Sequence, residues 1–173
     1  LRADYLDLWR DSFTVARQAA ETLVLRDYHV DNLMLLDGRE GVAACGLLDF
    51  QDAVIGPASY DLVSLLEDAR RDVSHDLAEA MFARYLDAFP EIDADAFRAS
   101  YAAMGAQRSA KIVGIFTRLD RRDCKPIYLE HIPRVWRWLE GDLAHLALRD
   151  LQAWFNREIP AEQRFIPSAK GTS

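Results

Sequence analysis

The chain has 173 residues, half of them hydrophobic, and its 28 acidic side chains against 21 basic ones give a net charge of −7. This composition is typical of a globular protein rather than a disordered one, and the length suits one domain with a substantial core. The acidic balance argues against nucleic acid as a partner, and no apolar run approaches the roughly 18 residues that a membrane span requires. Leu1 also opens a charged amphipathic stretch rather than a signal peptide. From these features together we expect neither nucleic acid nor a membrane as a partner.

Cysteine and histidine give no sign of a disulfide or a metal centre. Cys45 and Cys124 lie far apart without a CxxC motif, which is typical of reduced thiols in a cytoplasmic protein. The four histidines, at positions 29, 75, 131 and 145, lack the spacing of zinc ligands.

The first part of the chain changes from a helical to a strand pattern. Apolar residues recur at helical spacing over residues 4–22, which predicts a first helix. Short apolar runs follow at 23–25, 33–36 and 42–48, and a Gly-containing turn sequence at 37–41 separates the last two. We predict three short strands, of which the second and third form a hairpin.

Everything after Pro57 has a helical pattern. Periodic apolar residues predict helices over 62–69, 77–86 and 93–119, and one or two helices over 135–156. Residues 160–173 have the composition of a loose tail. The fold class that follows is mainly α with a small β-hairpin element, an α+β arrangement.

The side chains suited to catalysis concentrate in the non-helical window 25–61. Asp27 follows the first predicted strand and Asp49 follows the third, with Asn32 on the loop between them, so two strand ends would hold the carboxylates rigidly. Carboxylate and amide oxygens suit Mg²⁺, which usually keeps waters and substrate phosphates as its other ligands. The order Asp, four residues, Asn, hairpin, Asp-Phe matches the catalytic core of kinases, H-R-D-x-x-x-x-N followed by D-F-G.

An alternative interpretation is that these side chains cap turns and helices, as Asp commonly does. Asp27, Asn32 and Asp49 taken together favour the catalytic interpretation, whereas for Asp31 and Asp52 both interpretations stay open. Asp61 directly precedes the apolar stripe of a helix, so a helix-start or loop-bracing role suits it better than a catalytic one.

The sequence resembles the aminoglycoside phosphotransferase and choline kinase-like family over roughly residues 20–140. Within that family it looks most like the bacterial anomeric kinases of N-acetylmuramate and N-acetylglucosamine, which serve cell-wall sugar recycling. The segments that carry the resemblance are Arg26-Asp27-Tyr28-His29 with Asn32-Leu33-Met34, Leu48-Asp49-Phe50-Gln51-Asp52-Ala53, Gly56-Pro57 with Tyr60-Asp61-Leu62-Val63-Ser64-Leu65, and Lys111-Ile112-Val113-Gly114-Ile115-Phe116 with Arg118-Leu119.

The resemblance implies the C-terminal lobe of a protein-kinase-like fold and an ATP-dependent phosphotransferase that uses Mg²⁺ and an alcohol acceptor. By this likeness Asp27 is the catalytic base and Asn32 and Asp49 are the Mg²⁺ ligands. The residues that would support the catalytic loop are Arg26, His29 and Asp61.

Two positions depart from the family pattern. Leu25 stands where the family usually has a histidine that anchors the catalytic loop, so the packing behind the loop should differ. Gln51 replaces the glycine of D-F-G, a substitution that the resemblance implies is shared by the subgroup.

A kinase also needs groups that hold the nucleotide phosphates. The eight glycines form no G-x-G or GxxxxGK sequence, and the three lysines, at 111, 125 and 170, all follow the catalytic motifs. In the family these groups belong to an N-terminal lobe. We therefore expect residues 1–160 to be the C-terminal, catalytic and substrate-binding lobe, with a flexible tail at 161–173. Its partner would be the missing N-terminal lobe of the same protein. We expect this chain alone to bind ATP weakly and to turn over little or not at all.

The small-molecule substrate should contact the long predicted helix and the residues around it. Basic residues there either pair with nearby acids on a solvated face or meet the carboxylate and hydroxyls of an amino sugar. Arg108 lies on the apolar stripe between Met104 and Ile112, where an arginine needs a partner. The candidate substrate-binding residues are Asp31, Arg108, Lys111 and Arg122, and the tryptophans at 136, 138 and 154 are assigned to packing.

Two other functions stay open. A kinase for an aminoglycoside or choline would use the same chemistry on a cationic acceptor, which requires an acidic pocket. A non-catalytic, kinase-like binding module is favoured by Leu25 and the missing nucleotide lobe, and opposed by intact Asp27, Asn32 and Asp49.

Overall fold

The computed structural model describes residues 1–165, which form a mainly helical fold with two small antiparallel sheets of two strands each. The mainly α fold class predicted from the sequence is confirmed. In chain order the elements are α1 (Arg2–Ala16), β1 (Glu21–Val24), β2 (Leu33–Leu35), β3 (Cys45–Leu47), β4 (Val54–Pro57), α2 (Ser59–Leu66), α3 (His75–Ala88), α4 (Ala94–Asp123), α5 (Ile132–Leu143) and α6 (Arg149–Glu158).

The two sheets differ in how far the sequence predicted them. The hairpin is confirmed, because β2 pairs with β3 and Met34 lies opposite Gly46. The other sheet joins β1 to β4, a strand that the sequence did not predict because its Gly56-Pro57 end is typical of a loop. The predicted third strand was too long, since Gly41–Ala44 form a short 3₁₀ helix whose first residue, Gly41, has a left-handed φ of 58°.

The helices agree with the sequence except at their ends. The first helix stops at Ala16 rather than near residue 22, and the chain then enters β1. The buried Ser100 hydroxyl donates to the Ala16 carbonyl at 2.8 Å and so satisfies the end of α1. Of the one or two helices predicted over 135–156, the structure has two, α5 and α6, joined by a short 3₁₀ helix at Leu146–Leu148.

The long helix α4 lies at the centre of the fold and packs against α1, α2 and α5. Asp93 caps its start by accepting from two backbone N–H groups at 3.0 Å, and Cys124 ends it in the left-handed conformation. Small buried residues on its face let α5 approach closely. These residues are Ala102, Ala103, Gly105 and Ala106.

The end of the described chain is held by one arginine. Arg164 donates to the Ile159 carbonyl, to the Glu140 carboxylate and to the Asn156 amide at 2.7 to 2.8 Å. The rest of the predicted tail, residues 166–173, lies outside the described residues. Among the helices of residues 1–165, none is long and apolar enough to cross a membrane.

Candidate active site

The loop between β1 and β2 is fastened to α2 by hydrogen bonds to its backbone. The Asp61 carboxylate accepts from the Leu25 N–H at 2.7 Å and from the Arg26 N–H at 3.0 Å. The Arg26 carbonyl accepts from the Ser64 hydroxyl and from Arg108 Nη1, both at 3.3 Å. Three side chains from two helices therefore hold the peptide groups that flank Asp27.

Arg26 is also in a turn that few residues adopt. Its φ is 72°, and the turn is closed by the Asp27 N–H donating to the Leu25 carbonyl at 3.0 Å. A left-handed conformation at a residue other than glycine costs about 1–3 kcal/mol and persists only where its surroundings over-determine it. The bonds from Asp61, Ser64 and Arg108 supply that support, and Asp27 is the residue directly after the turn.

Asn32 ties the loop to the end of the hairpin. Its Nδ2 donates to the Asp27 carbonyl at 2.8 Å, and its own carbonyl accepts from the Leu48 N–H at 2.9 Å. Asp49, the residue after Leu48, has a φ of 54°, so the chain turns sharply there. The Asp49 carboxylate accepts a hydrogen bond from Gln51 Nε2. This network brings the two strand ends together as the sequence predicted.

A cavity of about 350 Å³ lies beside these residues. Asp27, Asn32 and Asp49 all line it, so the structure brings the three predicted catalytic and metal-binding residues to one place. Cavities of about 550 and 420 Å³ lie elsewhere, and none of these three residues lines either of them. The remaining lining residues are His29, Asp68, Ala69, Arg70, Arg108, Lys111, Ile112, Ile115 and Phe116.

The structure separates the four predicted substrate-binding residues into two groups. Arg108 and Lys111 line the cavity from α4. Arg122 pairs instead with its neighbour Asp123 at 2.7 Å on the exposed end of that helix. Asp31 does not line the cavity, and Arg71 binds its carboxylate at 2.7 Å.

The tryptophans assigned to packing do not line this cavity. Trp136 and Trp154 are buried in the helical core, where Phe155 contacts both rings edge to face. Cys45 and Cys124 are both exposed free thiols, and neither lines this cavity.

Asp68 and Arg70 line the cavity, and the sequence interpretation missed both. One available signal was the pair Glu67-Asp68 directly after the last residue of α2. Acidic side chains at a helix C-terminus are disfavoured by the helix dipole, so two in succession need another explanation. The structure provides one, since both side chains are buried, Glu67 at 9% and Asp68 at 4% exposure.

The segment 67–72 after α2 is anchored on both sides. Arg134 of α5 forms two bonds of 2.8 Å to the Asp72 carboxylate and donates to the Ala69 carbonyl at 3.1 Å. Hydrogen bonding by Arg134 lowers the pKa of Asp72 from its ordinary 3.8 to about 2. On the other side, Arg71 pairs with Asp31 of the loop between β1 and β2. The cavity wall therefore connects α5 to that loop.

Behind this wall Glu67 and Asp142 form a buried pair of carboxyl groups. Burial raises the pKa of Glu67 from its ordinary 4.5 to about 7, while the neighbouring polar groups of Tyr101 and Asp142 oppose the shift. Burial and the nearby Glu67 also raise the pKa of Asp142 well above 3.8. Two carboxyl groups that share a buried site retain a proton between them.

Asn32 and Asp49 have oxygens available for a metal ion. Because Asn32 uses its Nδ2 in the hydrogen bond to Asp27, its Oδ1 remains as an acceptor. Asp49 keeps a second carboxylate oxygen beside the one bound by Gln51. Within residues 1–165 no group of three or more His, Cys, Asp or Glu is arranged to hold a metal ion by itself. The pair therefore fits Mg²⁺, which takes one or two protein oxygens and otherwise waters and substrate phosphates.

Comparison with known proteins places the chain in a sequence family. The model of the family described as "Phosphotransferase enzyme family" matches residues 1–99, which include Asp27, Asn32 and Asp49 as well as α2. A Caulobacter vibrioides protein named N-acetylmuramate/N-acetylglucosamine kinase is 45% identical over 162 residues, or 94% of this chain and 45% of that protein.

Relatives with the same name occur in other bacteria. The one from Neisseria meningitidis is 44% identical over 122 residues, which cover 67% of this chain and 35% of the relative. The one from Pseudomonas aeruginosa is 39% identical over 136 residues, which cover 75% of this chain and 38% of the relative. The chain thus spans less than half the length of these curated relatives.

Proposed function

Because this chain belongs to the phosphotransferase enzyme family, we propose that it is the catalytic and substrate-binding lobe of a kinase that phosphorylates an amino sugar. The phosphate donor is ATP, and the acceptor is a hydroxyl of N-acetylmuramate or N-acetylglucosamine. One observation carries the proposal: Asp27, Asn32 and Asp49 line a single cavity together with basic residues of α4. The names of the relatives support the choice of acceptor.

Asp27 is the general base in this proposal. Its carboxylate accepts the proton of the acceptor hydroxyl as that oxygen attacks the terminal phosphorus of ATP, and the bond from this phosphorus to the bridging oxygen breaks to release ADP. Phosphoryl transfer depends chiefly on positioning and charge stabilisation, so a rigidly held base is what this lobe must supply. The bonds from Asp61, Ser64 and Arg108 to the Arg26 backbone support this role because they fix the turn that presents Asp27.

Asn32 and Asp49 hold Mg²⁺ in this proposal, through the amide and carboxylate oxygens that the hydrogen bonds of each leave available. When bound, the ion neutralises charge on the phosphates of ATP. The fixed geometry of both residues supports the assignment, since Asn32 is bonded to the Asp27 peptide and Asp49 sits at a sharp turn.

The charges around the cavity favour a neutral or anionic acceptor. Three acids, Asp27, Asp49 and Asp68, are balanced by three basic residues, Arg70, Arg108 and Lys111. A cationic aminoglycoside or choline would need an excess of acid in the part of the cavity that holds the acceptor. An acetamido sugar has no such requirement, and the carboxylate of N-acetylmuramate would be attracted by Arg108 and Lys111.

The groups that hold the nucleotide phosphates belong, in this proposal, to a further lobe of the same protein. The curated relatives support this, because the matched region is only 45% of the length of the Caulobacter protein. The cavity beside Asp27 is then the junction at which ATP from one lobe meets the acceptor from the other.

The proposal is tested by Asp27→Asn in the full-length protein that contains this chain. With ATP, Mg²⁺ and N-acetylglucosamine or N-acetylmuramate, we expect kcat to fall by about 10²–10⁴-fold, the usual contribution of a general base. The KM for ATP should change little, because the substitution keeps the shape of the side chain. Coupled-enzyme detection of ADP measures both kcat and the KM for ATP. Mass spectrometry identifies the sugar phosphate as the product.

Asp87→Asn, at an exposed position in α3 outside the cavity, is the matched control and should behave like the wild type. Wild-type kcat in Asp27→Asn would remove Asp27 from the role of base. An acceptor panel tests the substrate: turnover of choline or an aminoglycoside in place of both amino sugars would replace the proposed acceptor.

A further inference from the structure

Three polar atoms without a partner belong to residues that line the same cavity. Among residues 1–165, His29 Nδ1, Asp68 Oδ2 and Arg108 Nε are buried and make no hydrogen bond, and all three residues line the cavity beside Asp27. Buried polar groups are nearly always hydrogen-bonded, so several orphans around one cavity require an explanation. Asp68 offers an acceptor and Arg108 a donor, which is the complement that a polyhydroxylated ligand satisfies.

Asp68 is the most informative of the three. Its side chain is only 4% exposed, and its Oδ1 accepts from the Arg70 N–H at 2.9 Å while Oδ2 has no partner in the described chain. A carboxylate buried with one oxygen unpaired loses its hydration without compensation. Such a group is retained most readily where a ligand supplies the missing hydrogen bond.

The neighbours of Asp68 hold it in a defined position. The adjacent Ala69 carbonyl accepts from Arg134, and Asp72 is bound by both Arg134 and Arg137. Arg71 links the same segment to Asp31 of the catalytic loop. Asp68 is thereby connected to the loop that presents Asp27, as a residue that selects the acceptor should be. A side chain fixed before binding loses little entropy on contact with its ligand.

We propose that Asp68 determines acceptor specificity, with Oδ2 accepting a hydrogen bond from a hydroxyl or amide N–H of the sugar while Arg108 Nε donates to one of its oxygens. This inference rests on the proposed function and adds the residues that recognise the acceptor. Sites built to hydrogen-bond a substrate group discriminate strongly against analogues that lack it, because the buried partner is then left unpaired. Asp68 therefore separates sugars that carry the matching donor from those that lack it.

The test is Asp68→Asn in the full-length protein, with Asp87→Asn as the matched control. Asparagine keeps the shape and the bond to the Arg70 N–H, but it presents an N–H₂ donor where Oδ2 was an acceptor. We expect kcat/KM for N-acetylglucosamine to fall by about 10- to 100-fold, the effect of losing a hydrogen bond to a charged group. The KM for ATP should stay at the wild-type value, which a general structural defect would not allow.

A series of monodeoxy and deacetylated sugars identifies the group that Asp68 contacts. The analogue that lacks this group should have nearly the same kcat/KM with wild type and with Asp68→Asn, whereas the other analogues keep the full difference. The proposal would be overturned if the ratio of the wild-type kcat/KM to the Asp68→Asn kcat/KM were the same for every analogue. An unchanged kcat/KM for N-acetylglucosamine in Asp68→Asn would also overturn it. Thermal unfolding checks that the variant folds. If it does not, Arg108→Lys, which keeps the charge but lacks Nε, must show the same selective loss.

Calorimetric titration with N-acetylglucosamine separates this inference from the proposed function. Suppose that the wild-type protein phosphorylates neither amino sugar. Sugar binding that is lost in Asp68→Asn would then still support the inference while the kinase proposal fails. Equal binding by both proteins, or no binding by either, would overturn the inference. Turnover of the amino sugar with no effect of Asp68→Asn leaves the kinase proposal standing and removes Asp68 from recognition.

Discussion

Gly105 and Gly114 lie on the same helix, α4, yet the structure predicts opposite effects when each is replaced by alanine. Alanine in a helix interior is normally more favourable than glycine by about 0.5–1 kcal/mol. At Gly114 nothing lies within 4 Å of the position that a Cβ would take, so Gly114→Ala should gain that amount. At Gly105 the same Cβ would lie 2.4 Å from Asp142 Oδ2 and 2.6 Å from its Cγ.

The expected loss in the free energy of unfolding for Gly105→Ala follows from this overlap. Asp142 is 7% exposed on α5 and packed against buried Glu67, so its carboxyl group has little room to move. Overpacking a tight site costs about 1–3 kcal/mol, which exceeds the helix-propensity gain. The free energies of unfolding of the two variants should therefore differ by about 1–3 kcal/mol, with Gly105→Ala below the wild type. For a domain of this size that separates the Tm values by about 2–12 °C.

Urea denaturation of this chain followed by circular dichroism measures the difference. A double-mutant cycle with Asp142→Ala locates its cause, because removing the carboxyl group should turn Gly105→Ala into a stabilising change of about 0.5–1 kcal/mol. Two results would refute the close approach of α4 and α5 at this point. One is a Gly105→Ala variant that is as stable as Gly114→Ala. The other is a loss of stability on Gly105→Ala that persists in the Asp142→Ala background.

Two further predictions concern pH. Burial raises the pKa of Glu67 from 4.5 to about 7, so the unfolded chain loses this proton at a lower pH than the folded one does. The free energy of unfolding should therefore fall as pH rises across that interval. Glu67→Gln should reduce this slope in urea titrations between pH 4.5 and 7, and an unchanged slope contradicts the assignment. Hydrogen bonding by Arg134 lowers the pKa of Asp72 from 3.8 to about 2, so the stability from this pair is present above pH 3.8 and lost as pH falls through about 2. The Tm of Asp72→Asn should lie below that of the wild type at neutral pH and converge with it near pH 2, and a constant gap would contradict this.

The catalytic window was predictable because its signal is local. Asp27, Asn32 and Asp49 lie within 23 positions of one another, and strand ends place residues rigidly, so spacing in the sequence translated into proximity in the cavity. The long helix was equally predictable from its apolar period. The β4 strand was not, because Gly56 and Pro57 are typical of loops and only pairing with β1 makes this segment extended.

The other wall of the cavity depended on contacts between residues distant in sequence. Arg108 was recognised as anomalous on its apolar stripe, but its bond to the Arg26 carbonyl spans 82 positions, and no periodicity encodes such a partner. Arg122, another candidate substrate-binding residue, lies in the last turn of α4 and pairs with Asp123 outside the cavity.

Asp68 shows most clearly which features local sequence determines and which depend on tertiary packing. Local sequence determined the helix that precedes it and the chemical types needed for phosphoryl transfer, since both depend on residues close together in the chain. Only the packing of α2, α4 and α5 turned Glu67 towards Asp142 and left the next residue, Asp68, on the cavity. The physical reason is that burial is a property of the assembled helices, and an acid acquires its environment only when distant segments close around it.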